Sequence, residues 1–282
     1  MFFLRCISWI ILVGLFITGV FLESGKYIFM LMFMFGAFMA TSEIIDMLGK
    51  LKYKSFKKAA AMCSALSVAF IFIGDERFNV IPLALFIVGC WGYLLVCKEK
   101  EENLKKMAIS IGGILLALLP IFFLSKIYFN YYHHYSETDL RFGTKLLIYL
   151  VAVTKIGDTF AYITGMLSNK ILKGKNHKIV PSISPKKSWE GTIGGMIFSI
   201  IVSYILCYIL FDTNSLFIPL IMGVVLFWGG FFGDLAESAL KRTCGVKNSG
   251  SILPGMGGVC DLLDSFIFNA PLFYFGIVFF ET

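Results

Sequence analysis

The chain has 282 residues, of which 58% are hydrophobic and 15% are charged; in ordinary soluble domains about a quarter of the residues are charged. Apolar stretches recur from end to end, and about 20 apolar residues are enough for a helix to cross a bilayer. The composition therefore excludes a soluble domain of useful size and predicts an all-α polytopic integral membrane protein. The net charge of +7 does not indicate a nucleic-acid partner, because the lysines lie in short loops between apolar stretches.

Nine apolar stretches are predicted to be transmembrane helices. In chain order they cover residues 4–22, 27–48, 59–74, 78–97, 107–128, 144–167, 191–211, 215–236 and 265–280. The first resembles a signal peptide, but it has no clear small-residue cleavage site and is expected to remain as a helix. Basic residues concentrate in alternate connections, so the positive-inside rule predicts a cytoplasmic N-terminus and an external C-terminus. No internal repeat is visible, which disfavours a transporter built from inverted halves.

The two halves of the chain differ in polarity. Residues 1–142 carry few polar side chains within the spans, apart from Glu43 and Asp46. They are interpreted as a helical scaffold that faces lipid or forms oligomer contacts. Residues 143–282 have charged residues within a span and are predicted to be the catalytic transmembrane domain. Its two basic loops, both expected on the cytoplasmic side of the cell membrane, are residues 168–190 and 237–264.

A charged pair lies inside the sixth predicted span. Asp158 follows Lys155 by three residues, so the two side chains can pair on one helix face. One interpretation is that the pair locks neighbouring helices together. The other is that Asp158, with Tyr162 one turn further along, lines a polar cavity that opens to the cytoplasm.

A second polar stretch leads into the seventh predicted span. Ser184, Lys186 and Lys187 precede a helix start that contains glycines. The free N–H groups of a helix start, flanked by lysines, form a natural phosphate site. The lysines can equally contact anionic lipid head groups, so both interpretations stay open.

The strongest candidate is the segment 234–265, which follows the eighth predicted span. Four of its residues share one helix face through spacings of three and four: Asp234, Glu237, Ser238 and Lys241. Its three cations are Lys241, Arg242 and Lys247. A loop that includes Gly257 and Gly258 allows the backbone to approach a ligand closely. Asp261 and Asp264 would occupy successive turns of a helix that begins near residue 259, so both carboxylates can face one cation.

These residue types indicate a reaction class. Carboxylates bind divalent cations, whereas lysines, arginines and backbone N–H groups bind phosphates. Without a plausible Ser–His or Cys–His pair, such a set favours transfer at a phosphorus centre, where catalysis is mostly positioning and charge stabilisation. A phosphate monoester acceptor is already largely dianionic at neutral pH and needs no general base.

Three sequence blocks resemble the phosphatidate cytidylyltransferase (CDP-diacylglycerol synthase) family. The first is Asp158-x-x-Ala161-Tyr162-x-x-Gly165, and the second is Ser184-Pro185-Lys186-Lys187-Ser188-Trp189-Glu190-Gly191. The third begins with Gly233-Asp234-Leu235-x-Glu237-Ser238-x-Leu240-Lys241-Arg242 and ends with Asp261-x-x-Asp264-Ser265. The match covers residues 150–270, and the N-terminal helices match only in being hydrophobic.

The resemblance implies that CTP reacts with phosphatidate from the lipid bilayer, with Mg²⁺, to give CDP-diacylglycerol and pyrophosphate. It implies catalytic roles for Ser238, Lys241, Arg242, Lys247, Asp261 and Asp264. It implies substrate contacts for Asp158, Tyr162, Ser184, Lys186, Lys187, Gly257 and Gly258. The metal ligands that it implies are Asp234, Asp261 and Asp264. A second cation and a homodimer are left open.

Four positions depart from the residues usual in that family: Phe160, Asn248, Met256 and Leu262. The paired aspartates and the other cations remain, so an active but divergent member is expected. Two other classes of protein stay open. One is a related lipid nucleotidyltransferase or kinase with another acceptor, such as an isoprenoid alcohol or its phosphate. The other is a transporter of a phosphorylated or nucleotide solute.

Overall fold

The computed structural model describes residues 2–22, 24–73, 79–131, 141–212 and 215–281. Helix predominates, with one short hairpin. In chain order the described elements are α1 (Phe2–Phe21), α2 (Gly25–Gly49), α3 (Lys57–Ile73), α4 (Ile81–Val96), α5 (Lys100–Asn130), α6 (Phe142–Ile171), β1 (Lys178–Val180), β2 (Ser184–Ser188), α7 (Trp189–Phe211), α8 (Phe217–Thr243), α9 (Val259–Leu263) and α10 (Phe266–Glu281).

Five of the described helices are long and apolar enough to cross a membrane: α2, α5, α6, α7 and α8. Shorter apolar stretches are Ile10–Phe21, Ile81–Val96 and Phe266–Phe279. The structure is therefore that of a helical membrane protein, as the composition predicts. Each of the nine predicted spans coincides with a helix, although residues 74 and 78, at the ends of two spans, lie outside the described residues. The number of spans and the side of the N-terminus stay predictions.

One compact unit consists of Met1–Tyr131 and Lys241–Leu263. Its core forms where α2, α3 and α5 pack against one another. Small residues such as Ala40 are fully buried there, because small side chains allow membrane helices to approach closely. Thr41 and Ser64 join α2 to α3 through a buried hydrogen bond of 2.7 Å between their hydroxyl oxygens. The unit also contains α9 and the loop before it, which were predicted to belong to the C-terminal half; the catalytic role of that half stays a prediction.

The other compact unit consists of Tyr132–Leu240 and Asp264–Thr282. Within it, α6 and α7 pack closely along their lengths. An added Cβ at Gly195 would lie 2.6 Å from the Cβ of an alanine in α6, so the close approach of the two helices requires glycine. The hydroxyl groups of Tyr149 and Ser203 form a buried hydrogen bond of 2.6 Å between the same helices.

A short hairpin precedes α7 in the second unit. β1 and β2 pair antiparallel, with Lys178 opposite Ser188. Ser188 then caps α7, because its Oγ accepts a hydrogen bond from the N–H of Gly191 (3.3 Å). The backbone N–H of His177 donates to Glu190 Oε1 (3.1 Å), which ties the hairpin to the first turn of α7. The all-α prediction missed this hairpin, because its strands have only three and five residues and no alternating apolar pattern.

Helix α9 begins at Val259, where a helix is predicted to begin, but it ends at Leu263. Five residues make little more than one helical turn. Asp264 therefore follows the helix and lies in the connection to α10. The expectation that Asp261 and Asp264 occupy successive turns of one helix is wrong, and each has its own set of partners.

Candidate functional site

An acidic cluster in the second unit is the first candidate site. One carboxylate oxygen from each of Asp234, Glu237 and Asp264 lies within 4.8 Å of the other two. Asp234 and Glu237 are three residues apart in α8 and share a face. Gly233 allows the main chain of Asp264 to approach α8, since an added Cβ would collide with the Asp264 carbonyl oxygen. Three converging carboxylates provide the oxygen ligands that hard divalent cations prefer.

Lys155 partly neutralises the acidic cluster. Its Nζ lies 3.6 Å from Asp264 Oδ1 and 3.7 Å from Asp158 Oδ2. Ser265 joins the same two carboxylates, with its Oγ 2.6 Å from Asp158 Oδ2 and 2.9 Å from Asp264 Oδ1. The backbone N–H of Ser265 also donates to Asp264 Oδ1 (2.6 Å). The predicted pair of Lys155 and Asp158 is therefore part of a network that reaches the acidic cluster.

Asp264 is held in a crowded electrostatic environment. Burial raises the pKa of Asp264; Lys155 opposes this effect, and the carboxylates of Asp234 and Asp158 raise the pKa further. The negative charge on one carboxylate disfavours the ionised form of its neighbours. A bound cation would relieve this repulsion, because its own charge dominates the local field.

The second strand of the hairpin brings a lysine to the acidic cluster. Lys187 Nζ lies 2.8 Å from Asp234 Oδ2 and donates to the carbonyl oxygen of Phe231 (3.0 Å). It also lies 4.1 Å from the centroid of the Phe231 ring. Lys187 is thus fixed by protein contacts, whereas Lys186 is exposed. The two lysines, for which the same role is predicted, have different surroundings.

The second candidate site, in the first unit, surrounds Asp261. Its Oδ1 lies 2.6 Å from Lys241 Nζ. Its Oδ2 accepts hydrogen bonds from the N–H groups of Ser249 (2.9 Å) and Gly258 (2.8 Å). Gly257 has a φ of +108°, a conformation that favours glycine, and an added Cβ there would collide with the Asp261 carboxylate. The glycine loop is therefore wrapped around this carboxylate.

Hydrogen bonds keep Asp261 charged. Burial alone raises the pKa of Asp261, but the Gly258 N–H, Lys241 and the Ser249 N–H together hold it below its usual range. The side chains of Lys241 and Asp261 are only 12% and 13% exposed. They form a largely buried ion pair, so removal of one charge would leave the other poorly compensated.

The remaining predicted residues differ in their surroundings. Ser238 Oγ donates to Asp234 Oδ1 (3.4 Å) and so adjoins the acidic cluster. Ser184 is half-buried in β2. The predicted residues with exposed side chains are Tyr162, Lys186, Arg242 and Lys247. These four are accessible for contacts with a substrate.

Five residues at or beside the two sites received no site assignment from the sequence: Lys155, Glu237, Ser249, Ser265 and Glu43, whose Oε2 lies 3.1 Å from Ser249 Oγ. For Glu43 and Lys155 a signal existed, because charged side chains within apolar spans are costly and rarely lack a role. Glu237 shares the helical stripe of Asp234 and could have been assigned by spacing. The two serines carry no signal that one sequence could reveal.

The helical membrane fold, the three-carboxylate cluster and the glycine loop with its cations together define the class of protein. This class is a membrane protein with groups suited to a divalent cation and to phosphates. A family model described as the cytidylyltransferase family matches residues 3–280. The chain therefore belongs to the cytidylyltransferase family.

Curated relatives agree with the family match. A phosphatidate cytidylyltransferase of Staphylococcus saprophyticus is 33% identical over 252 residues, which cover 89% of this chain and 90% of that protein. The uncharacterized protein YnbB of Escherichia coli is 33% identical over 239 residues, with coverages of 79% and 76%. The chloroplastic phosphatidate cytidylyltransferase 4 of Arabidopsis thaliana is 44% identical over 117 residues, with coverages of 42% and 28%. The predicted resemblance is confirmed, and the similarity extends into the N-terminal helices.

Proposed function

We propose that this chain transfers CMP from CTP to phosphatidate, which yields CDP-diacylglycerol and pyrophosphate for phospholipid biosynthesis. The observation that carries the proposal is the cluster of Asp234, Glu237 and Asp264 in a chain of the cytidylyltransferase family. A relative named for phosphatidate as substrate covers 89% of the chain. The helical membrane fold suits a substrate that resides in the bilayer.

Mg²⁺ is the proposed cofactor, and the acidic cluster fits it. Asp234, Glu237 and Asp264 would hold the ion through carboxylate oxygens, the ligands that Mg²⁺ prefers. Bound Mg²⁺ would neutralise charge on the phosphates of CTP. The role of Asp261 as a metal ligand stays a prediction. Both of its oxygens already accept hydrogen bonds or pair with Lys241 in its own loop, so the proposed ligands are the other three carboxylates. The second cation also stays a prediction.

The proposed reaction replaces one phosphate linkage with another. A phosphate oxygen of phosphatidate forms a bond to the α-phosphorus of CTP. The bond from that phosphorus to the oxygen of the β-phosphate breaks, and pyrophosphate leaves with the electron pair. The second pKa of a phosphate monoester is about 6, so the attacking phosphate is largely dianionic at neutral pH. The nucleophile therefore needs no base from the protein.

The chain supplies fixed positive charge for the phosphates. Lys241 and Arg242 lie in the last turn of α8, and Lys247 lies in the loop that follows. Arg242 and Lys247 are exposed and can reach an anionic substrate. Lys241 is held in place by Asp261, and charges that are oriented before the substrate binds stabilise a transition state without reorganisation.

The proposal includes a membrane arrangement. We propose a multi-pass protein of the cell membrane with nine spans, a cytoplasmic N-terminus and both basic loops on the cytoplasmic side, where CTP is available. The concentration of basic residues in alternate connections supports this orientation. The homodimer stays a prediction.

One assay tests the proposed function. Purified protein, labelled CTP and phosphatidate vesicles should give a labelled lipid and release pyrophosphate, and a chelator of divalent cations should stop both. Parallel reactions contain an isoprenoid alcohol or an isoprenoid phosphate instead of phosphatidate. If a labelled product forms with only one of these acceptors, that acceptor replaces phosphatidate as the proposed substrate. Uptake of CTP into vesicles without pyrophosphate release would identify a transporter instead.

The close contact at Gly233 gives a second prediction. Gly233→Ala should lower kcat/KM by roughly 100-fold, because the added methyl group displaces the main chain of Asp264 and a shift near 1 Å at a reactive site costs about that much. Steady-state kinetics with CTP measure the loss. The matched control is Gly112→Ala in α5, where an added Cβ meets no atom within 4 Å. Equal kcat/KM values for Gly233→Ala and Gly112→Ala would show that the close contact at Gly233 is not needed for catalysis.

A further inference from the structure

Glu43 belongs to α2, yet its carboxylate binds the segment that leads into α9. Oε1 accepts a hydrogen bond from the N–H of Val259 and Oε2 accepts one from the N–H of Cys260, both at 2.9 Å. The hydroxyl oxygen of Ser249 lies 3.1 Å from Oε2. Glu43 is only 4% exposed. Hydrogen bonds to an ionised acceptor are stronger than neutral ones, so this buried carboxylate is a strong anchor for the segment.

The segment is shaped to receive Glu43. An added Cβ at Gly250 would lie 2.6 Å from Glu43 Oε1, and one at Gly258 would collide with the same carboxylate. Two further hydrogen bonds tie this segment to α1 and α2: Ser8 Oγ to the carbonyl oxygen of Pro254 (3.2 Å), and Cys260 Sγ to the carbonyl oxygen of Ala40 (3.4 Å). The N-terminal helices of this unit therefore hold the glycine loop at several points.

Ser249 connects Glu43 to the buried ion pair. Its Oγ lies 2.9 Å from Asp261 Oδ2 and accepts a hydrogen bond from the Asp261 N–H (3.3 Å). Asp261 in turn pairs with Lys241 at 2.6 Å. A continuous series of contacts thus runs from Glu43 through Ser249 and Asp261 to a proposed phosphate-binding lysine.

We propose that Glu43 is a positioning residue, whose carboxylate fixes residues 249–260, and through them Asp261 and Lys241, in the arrangement that binds the phosphates of CTP. This inference rests on the proposed function. Glu43 acts on the substrate through the segment, because its contacts are with Ser249 and with the N–H groups of Val259 and Cys260. The N-terminal helices are then a working part of the CTP site rather than a scaffold alone.

Glu43→Gln tests the inference with little change in volume. The amide replaces one acceptor oxygen by an NH₂ group that must face an N–H donor. The KM for CTP should rise roughly 10-fold or more, the effect expected when a group that orients a functional residue is lost. The matched control is Asp46→Asn in the same helix, where the carboxylate is 59% exposed and pairs with Lys57 (2.6 Å). For this control the KM should stay within about twofold, because exposed pairs contribute little.

Two readouts separate positioning from simple loss of folded protein. If Glu43→Gln lowers only kcat per total protein, with the KM for CTP unchanged, Glu43 is structural and the proposal is overturned. The second readout needs no activity: the buried thiol of Cys260 should be alkylated faster in Glu43→Gln than in Asp46→Asn, as located by peptide mass. Unchanged alkylation would also overturn the proposal. If the wild-type protein makes no CDP-diacylglycerol, the proposed function fails, and alkylation still decides whether Glu43 holds the segment.

Discussion

Asp264→Asn should lower kcat/KM by roughly 10³-fold and raise the Mg²⁺ concentration needed for half-maximal activity. Loss of one preorganised charge-stabilising group costs about 10²–10³-fold, and this change also weakens cation binding. Asp264 is the member of the acidic cluster that Lys155 and Ser265 hold in place. An asparagine keeps the shape but removes the negative charge. Formation of CDP-diacylglycerol from CTP at several Mg²⁺ concentrations measures the effect.

The control for this variant is Asp212→Asn in the same unit. Asp212 is exposed at the end of α7 with a φ of 50°, a conformation that asparagine tolerates. The activity of the Asp212→Asn variant should therefore equal that of the wild type. Binding of Mg²⁺ should raise the Tm of wild type and control, because a ligand stabilises the state that binds it. The Asp264→Asn variant should lose this rise. If it keeps both the rise and full activity, the acidic cluster is not the metal site.

The helices were predictable because long apolar stretches are a strong signal in any sequence. Within the described residues a helix overlaps each predicted span, and even the start of α9 at Val259 was expected. The hairpin was not predictable, because three-residue and five-residue polar strands have no periodic pattern. The packing of Lys241–Leu263 with the N-terminal helices in one unit was missed as well. Hydropathy reveals that a segment is buried but not which helix covers it.

The candidate sites were predictable only where residues are neighbours in sequence. Asp234 and Glu237 share a face of α8 through the helical repeat, and this stripe follows from spacing. The contact between Lys241 and Asp261 joins residues 20 positions apart, and that between Glu43 and Val259 joins residues 216 apart. Such pairings depend on tertiary packing, so a single sequence reveals the residue types without their partners.

Asp261→Asn should raise the KM for CTP but leave the Mg²⁺ requirement close to that of the wild type. The reason is that the Asp261 carboxylate holds its loop and Lys241 rather than standing open to a cation. The substitution should also lower the free energy of unfolding by roughly 2–3 kcal/mol, somewhat less than for a fully buried pair that loses one partner. Kinetics over a range of Mg²⁺ concentrations, with thermal unfolding in detergent, measure both effects. If Asp261→Asn needs as much additional Mg²⁺ for half-maximal activity as Asp264→Asn does, Asp261 is instead a metal ligand, as the sequence predicted.

A double variant separates the two partners of the ion pair. In Lys241→Met/Asp261→Asn neither charge is left without its partner, so stability should return towards that of the wild type. Activity should not return, because Lys241 is proposed to neutralise phosphates of CTP directly. Recovery of stability without recovery of kcat/KM would assign Asp261 to the support of the loop and Lys241 to the substrate. If activity returned together with stability, the lysine would serve only to balance the charge of Asp261, and the exposed Arg242 and Lys247 would be the cations that meet the substrate.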